Sequence, residues 1–260
     1  MAIRRVLVVG MHRSGTSAVA GWLHTHGVNM GDNMLESHNS NAKGHFENVD
    51  LIQFHKKIAK EAGIHDWKSA DHNITWNAEQ IANAKQLILN RDQKHVQWGW
   101  KDPRLCLFLD DWLSQLKSAT IIVVYRNARD VALSLQKREI KNYLARFNIT
   151  PSKNMTKVFQ KMLFFRFTKY EELWSAYNKK ILNGISEKED VIYIAQEKME
   201  RDLENLYSIL LGQGFKLYQQ NEKFVDNSLF TQINKKQGTS ETKSIYEQFE
   251  NRRIAEISGL

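Results

Sequence analysis

The sequence predicts an α/β fold of three layers, in which a central, mostly parallel sheet is flanked by helices on both faces. Strand and helix patterns alternate along the chain. Two of the strand patterns, "RRVLVVG" at 4–10 and "ATIIVVY" at 119–125, are unbroken apolar runs rich in β-branched residues. Because helices cover both faces of a parallel sheet, its strands have this continuous apolar character.

The other elements continue the alternation. Residues 28–48 are rich in Asn, Gly, Ser and His, which is typical of a long loop over the mouth of the sheet. A long helix over 156–181 has apolar residues at spacings of three, four or seven, which indicates a face directed to the core. Further helices are predicted at 15–26, 51–61, 78–91, 105–116, 128–138 and 197–212, and further strands at 96–101 and 190–195.

Length and composition limit the class of protein. The chain has 260 residues, of which 42% are hydrophobic, enough for one α/β domain. We expect that domain over residues 1–220 and a polar C-terminal extension over 221–260 that either packs on it or forms a loose tail. No apolar run is long enough for a membrane span, and a single cysteine, Cys106, fits a reducing compartment. The expected location is the cytoplasm.

Charge and aromatic residues indicate the kind of partner. The formal net charge is +8, with Lys and Arg scattered along the chain, which favours a small phosphorylated ligand over nucleic acid. Oligomeric state has no signal in the sequence. Trp67 and Trp76 lie in a polar stretch and are candidate platforms for stacking a sugar. No histidine spacing predicts a metal site, and the following histidines are interpreted as surface or loop residues: His12, His38, His55, His65 and His72.

The first candidate site is the loop "GMHRSGTS", which joins the first strand to its helix. It has the glycine spacing of a phosphate-binding P-loop, but Thr16 stands where that motif has lysine. Backbone N–H groups of such a loop bind a terminal phosphate, and the hydroxyls of Ser14, Thr16 and Ser17 add donors. With Arg13 as its cation and Gly15 at its turn, the segment predicts a P-loop-like anion site.

A second group of polar residues follows the strand at 119–125. Arg126 stands at the carboxyl end of that strand, with Ser134 and Arg138 on the predicted helix behind it. Ligands of open α/β sheets bind at strand carboxyl ends, so these residues are a candidate phosphate clamp. The alternative is a helix cap followed by a solvated helix face.

A third group lies in "WGWKDPRL", at the end of the strand predicted at 96–101. Pro103 favours an extended conformation at Asp102 and can begin a helix that Asp102 caps. That structural interpretation competes with a functional one, because Lys101 and Arg104 place two cations at a strand end.

Together these segments resemble the sulfotransferase family that uses 3′-phosphoadenosine 5′-phosphosulfate. "RSGTS" resembles its 5′-phosphosulfate loop, and "KDP" is similar to the tyrosylprotein sulfotransferases. Arg126, Ser134 and Arg138 match the 3′-phosphate motif of the family, while "NAKGHFENVDL" most resembles bacterial sulfotransferase-like proteins. The resemblance covers about residues 4–138. It implies an enzyme that transfers a sulfuryl group from this nucleotide to a hydroxyl of a carbohydrate or small molecule.

The resemblance also implies roles for residues. Arg13 and Lys101 are expected to stabilise the transferred and leaving oxygens, and no metal is required because a sulfuryl group carries less charge than a γ-phosphate. Glu47 is the candidate base, and His45 is its rival. The nucleotide-binding residues implied are Arg13, Ser14, Gly15, Thr16, Ser17, Arg126, Ser134 and Arg138.

The sequence departs from the family after the last predicted strand. The family's "RYEDL" is "AQEKM" here, so Ala195 and Gln196 stand in the arginine and tyrosine positions. Two other interpretations therefore stay open. One is an ATP-dependent small-molecule kinase with a degenerate P-loop, and the other is a catalytically silent nucleotide-binding module.

Overall fold

A computed structural model describes most of the chain. The described residues are 2–35, 44–64, 74–116, 118–150, 152–162, 165–186, 191–220 and 238–258.

The centre of the fold is a sheet of four described strands, all parallel, in the order β2-β1-β3-β4. The strands are β1 (Arg4–Val9), β2 (Gln97–Lys101), β3 (Thr120–Tyr125) and β4 (Val191–Ala195). Val8 pairs with Lys101, and Val9 pairs with Val123, so the carboxyl ends of the strands meet at one edge of the sheet. The predicted α/β fold with a parallel central sheet is confirmed.

Helices cover the sheet, and most begin within a few residues of the predicted positions. They are α1 (Thr16–Thr25), α2 (Val49–Glu61), α3 (Ala78–Lys94), α4 (Leu109–Gln115), α5 (Ala128–Ala145), α6 (Lys153–Met162), α7 (Phe165–Gly184), α8 (Met199–Gly212) and α9 (Ser240–Ser258). Short 3₁₀ helices precede α4 (Pro103–Leu107) and α8 (Gln196–Lys198). The long helix predicted at 156–181 is described as α6 and α7, on either side of residues 163 and 164, which lie outside the described residues.

Both faces of the sheet are buried, which explains the unbroken apolar runs of its strands. Along β1, Leu7 and Val9 point into one apolar cluster, and Val6 and Val8 point into another. The first cluster includes residues of α2, α4, α5 and α7, and the second is formed with α1 and α8. The fold therefore has three layers.

The C-terminal helix α9 packs on the rest of the chain. Ile245 and Phe249 are buried in the first apolar cluster. Arg253 pairs with Asp202 of α8 at 3.4 Å. The division into a domain over 1–220 and an extension over 221–260 stays a prediction, and residues 221–237 lie outside the described residues.

Within the described ranges, none of the helices combines the length and the apolar character that crossing a membrane requires.

Candidate functional site

The sheet order places a crevice between the carboxyl ends of β1 and β3. From β1 the chain passes to β2 on one side, and then returns across the sheet to β3 on the other side. Ligands of open α/β sheets bind at such a reversal of strand order. The loops that follow these two strands are the predicted P-loop-like segment and the turn at Arg126.

Two glycines let the first loop lie close to its neighbours. A Cβ atom on Gly10 would stand 2.3 Å from the backbone oxygen of Val124. Gly15 has φ of 97°, in the left-handed region, and a Cβ there would stand 2.8 Å from Cε of Met199. Position 10 therefore needs glycine because of the close backbone oxygen, and position 15 needs it because of its left-handed φ, as the predicted tight loop requires.

Several donors of this loop face the crevice without a protein acceptor. In the part of the chain that the structure describes, no acceptor meets the backbone N–H groups of Gly15, Thr16 or Ser17. The first N–H groups of any helix lack an intrahelical partner. Ser14 adds a hydroxyl that is also without a hydrogen-bond partner among the described residues, although the residue is only 1% exposed. Since buried polar groups are normally hydrogen-bonded, these donors fit an anion at the start of α1.

Arginines from the loop and from β3 meet beside these donors. Arg126 donates from Nη1 to the backbone oxygen of Arg13 at 3.2 Å, and Arg13 donates from Nε to the hydroxyl of Ser134 at 2.9 Å. Nε of Arg126 is buried and has no hydrogen-bond partner among the described residues. The structure thus joins the two predicted phosphate-binding segments into one site.

The same arginines are close enough to repel one another. Desolvation in the crevice lowers the pKa of Arg13, and the charges of Arg138 and Arg126 lower it further. Burial likewise lowers the pKa of Arg126, while Asp130 and Glu197 oppose that change. A bound polyanion would relieve this repulsion.

Lys101 connects the P-loop-like segment to the loop before α2. Its side chain is 2% exposed, and Nζ donates to the hydroxyl of Ser17 at 3.1 Å and to the backbone oxygen of His45 at 3.1 Å. Nζ also donates to Oε1 of Glu47 at 2.5 Å. The predicted catalytic lysine and the predicted base therefore form an ion pair at the start of α1, with His45 beside them.

The backbone of the loop before α2 is strained next to this ion pair. Phe46 has φ of 51°, in the left-handed region that residues other than glycine seldom occupy. Asn48 then begins α2, because its side chain accepts the N–H of Leu51 at 3.1 Å. The strained residue thus stands between the two predicted candidate bases, and such strain is concentrated at functional sites.

A buried network lies behind Lys101. Trp112 donates from Nε1 to Nε2 of His55 at 2.9 Å, and Nδ1 of His55 contacts Oδ2 of Asp102 at 2.9 Å. Since an indole only donates, the histidine proton is on Nδ1 and points to the carboxylate. Because Nε2 accepts the indole N–H, it carries no proton and the ring is neutral, and burial lowers the pKa of His55 accordingly. Burial alone would raise the pKa of Asp102, but the hydrogen bond from His55 and the charge of Arg104 hold it well below its usual range.

The network anchors Arg104, the second cation of the third group, to which no specific role was assigned from the sequence. Arg104 donates from Nε to both carboxylate oxygens of Asp102, at 2.9 and 3.0 Å, and from its backbone N–H at 3.0 Å. The two terminal nitrogens of its guanidinium have no hydrogen-bond partner among the described residues. The sequence "KDPR" indicates this arrangement, because the carboxylate of Asp102, two residues before Arg104, can hold the guanidinium of Arg104 in place.

His55 contradicts the surface or loop assignment made from sequence, whereas His12 lies in the loop before α1. His55 is completely buried and takes part in the network above. His12 is half-buried, and its pKa is lowered to about 3 by burial and by the charge of Arg138, with smaller effects from Lys101 and Arg104. His38, His65 and His72 lie outside the described residues.

The predicted sugar platform at Trp76 is also wrong. Its ring is 4% exposed and packs against Trp112 and Phe54, with ring centroids 4.9 and 5.1 Å away. Edge-to-face packing of this kind fills the core under α2 and α4. Trp67 lies outside the described residues.

Gln196 occupies the tyrosine position of the family motif and faces the first loop. It is 4% exposed, its Nε2 has no hydrogen-bond partner among the described residues, and its Cγ is 3.2 Å from the place of a Cβ on Gly15. Ala195, in the arginine position, donates its backbone N–H to Asp202 at 3.0 Å. The departure from the motif thus leaves an amide at this edge of the crevice.

The described residues include no group of three or more His, Cys, Asp or Glu side chains arranged to hold a metal ion. Cys106 lies under the first loop, where its sulfur accepts the N–H of Gly10 at 3.3 Å. Burial raises the pKa of this thiol to about 12, so it is a packed core residue.

Comparisons with known proteins find a similar fold among solved structures. No protein-family model matches the chain, and no curated protein matches it by sequence. Among solved structures, the chain is similar to the crystal structure of sulfotransferase STF9 from Mycobacterium avium, with a TM-score of 0.47 and 12% sequence identity. The alignment covers 97% of this chain and 69% of that chain. The function is therefore proposed from the geometry of the site.

Proposed function

We propose that this protein is a sulfotransferase that moves a sulfuryl group from 3′-phosphoadenosine 5′-phosphosulfate to a hydroxyl of a carbohydrate or small molecule. One observation carries the proposal: a loop with unsatisfied donors, an arginine cluster and a lysine–carboxylate pair share one edge of the sheet. This combination supplies separate places for two phosphates and for an acceptor proton.

The first loop fits the 5′ end of the nucleotide. Backbone N–H groups of Gly15, Thr16 and Ser17, with the buried hydroxyl of Ser14, form a cradle for a phosphate at the positive end of α1. Arg13 lies ahead of this helix, where the transferred group would project. In this proposal the loop binds and orients the donor.

The arginines that follow β3 in the sequence would bind the 3′-phosphate of the nucleotide. Arg126 has a buried nitrogen available, and Arg138 lies near enough to repel Arg13. Ser134 accepts from Arg13 and so ties the helix α5 to the first loop. In this proposal Arg126 and Arg138 bind the 3′-phosphate, and Ser134 keeps α5 and the first loop in their relative position.

The Lys101–Glu47 pair suits proton removal and charge stabilisation. Glu47 would accept the proton of the acceptor hydroxyl while the acceptor oxygen forms its bond to sulfur and the bond from sulfur to the 5′-phosphate oxygen breaks. Loss of the carboxylate charge would free Nζ of Lys101 to donate to the leaving oxygen. The direct pair at 2.5 Å favours Glu47 over His45, whose described link to Lys101 is its backbone oxygen.

The test measures transfer of radioactive sulfur from the labelled nucleotide to a panel of sugars, phenols and other alcohols. Lys101→Met should lower turnover by about 10²- to 10³-fold, since removal of one preorganised donor has this effect, with nucleotide affinity largely kept. Lys57→Met is the matched control, because Lys57 forms an exposed ion pair with Glu79 at 3.0 Å on the surface of α2. Its turnover should equal that of the wild type.

Other results would overturn the proposal. An unchanged rate in Lys101→Met removes the lysine from the mechanism. Transfer of the γ-phosphate of ATP in the presence of Mg²⁺ would instead establish the kinase. Tight nucleotide binding without transfer to any acceptor would favour the silent module.

A further inference from the structure

Apolar side chains are exposed together at the far end of α5 and on α6. This apolar patch consists of Tyr143, Phe147, Ile149, Met155 and Val158, which are 55%, 60%, 42%, 37% and 56% exposed. Single exposed apolar residues are ordinary, but five within sixteen residues on two packed helices and the turn between them indicate a surface that contacts something else.

The members of the patch share one surface for structural reasons. Tyr143 and Phe147 are four residues apart, and their rings pack edge to face with centroids 5.4 Å apart. The chain turns after α5 at Asn148, which has φ of 55°, and α6 then packs against α5. Met155 and Val158, three residues apart on α6, lie on one side of that helix.

The same segment is strongly basic. Residues 141–161 include five Lys or Arg and no acidic residue. Of these cations, Lys141 and Arg146 are exposed on or directly after α5. The apolar patch is thus carried by a segment of positive net charge.

This chemistry fits the surface of an anionic membrane. Aromatic and aliphatic side chains enter the boundary between headgroups and acyl chains, while Lys and Arg bind anionic headgroups. A second copy of this chain fits less well, because the two basic segments would repel each other at the same interface. We propose that the apolar patch docks the protein on an anionic lipid surface, as a peripheral contact.

The patch also lies close to the candidate site along α5. Arg138 and Tyr143 are five residues apart, which is about 7.5 Å along a helix axis. The docking stands independently of the proposed sulfuryl transfer, since it uses residues outside the crevice.

The test is sedimentation of the full chain with vesicles. We expect binding to vesicles of mixed phosphatidylcholine and phosphatidylglycerol, weaker binding at high salt, and none to phosphatidylcholine alone. Tyr143→Ser with Phe147→Ser should weaken binding to the mixed vesicles by about tenfold or more, and Lys141→Glu should weaken it as well. The control is Leu89→Ser with Val96→Ser, which removes two apolar side chains 47% and 56% exposed elsewhere on the surface. It should bind as the wild type does.

Three results would overturn the docking. Absence of binding to the mixed vesicles is one, and equal binding by the Tyr143→Ser, Phe147→Ser variant is another. The third is a wild-type dimer in sedimentation velocity that becomes a monomer in this variant, with neither protein bound to vesicles. The patch would then be the interface with a second copy of the chain. Nucleotide binding, measured separately on each variant, reports on the crevice alone.

Discussion

Acid should destabilise this fold through His12. The pKa of this imidazole in the folded chain is about 3, against 6.5 for an ordinary histidine. The unfolded chain therefore takes up a proton that the folded chain does not, and stability falls as the pH drops through the unfolded value. The cause is burial among cations, with Arg138 the largest of the charges that lower the pKa.

The magnitude follows from these values. Between pH 7.5 and 5.5, protonation of the unfolded chain at this one residue lowers the free energy of unfolding by about 1.4 kcal/mol. The result is the same for any folded pKa below about 4.5, because the folded ring stays neutral over that range. His55 is also neutral by burial, so its contribution has the same sign.

The assay is urea unfolding followed by tryptophan fluorescence, at both pH values and in buffers without phosphate. The His12→Gln variant should lose less stability between the two pH values than the wild type, by about 1.4 kcal/mol. The comparison uses the difference between pH values, so a general loss of stability in the variant does not affect it. An equal loss on acidification in both proteins would refute the reasoning.

Three further predictions concern the site. Gly15→Ala should weaken binding of 3′-phosphoadenosine 5′-phosphate by about tenfold or more. Gly63→Ala is the control, because Gly63 has φ of 73° and nothing within 4 Å of its Cβ position, so this variant should lose only about 1 to 2 kcal/mol of stability. Calorimetry on both variants checks these expectations. Asp102→Asn removes the buried carboxylate that accepts from His55 and Arg104 and should lower the free energy of unfolding by about 1 to 3 kcal/mol in urea; a change below about 0.5 kcal/mol would contradict the network. Arg126→Ala should weaken binding of 3′-phosphoadenosine 5′-phosphate far more than binding of adenosine 5′-phosphate. Equal losses of affinity would mean that Arg126 does not bind the 3′-phosphate.

The strands and their ends could be predicted from the sequence for local reasons. β1 and β3 contain unbroken apolar runs rich in β-branched residues, and the glycine loop and Arg126 follow them directly. Because parallel strands end at one edge, residues far apart in sequence were expected to meet there. The contact between Arg126 and Arg13 fulfils that expectation.

The residues that the sequence did not assign depend on contacts between distant segments. His55 stands on a helix of mixed polarity, and its burial is set by Asp102 and Trp112, which are 47 and 57 residues away. Trp76 follows polar residues but packs against the same tryptophan. Local polarity suggested exposure in both cases, whereas tertiary packing decided burial.

The most direct test of the proposed function is calorimetric titration of the full chain with 3′-phosphoadenosine 5′-phosphate and, separately, with ATP and Mg²⁺. A site with a 5′-phosphate cradle and an arginine clamp for a 3′-phosphate predicts micromolar binding of the first nucleotide and little or none of the second. Preference for ATP with Mg²⁺ would contradict the assignment of Arg13 and Arg126 and would favour the kinase.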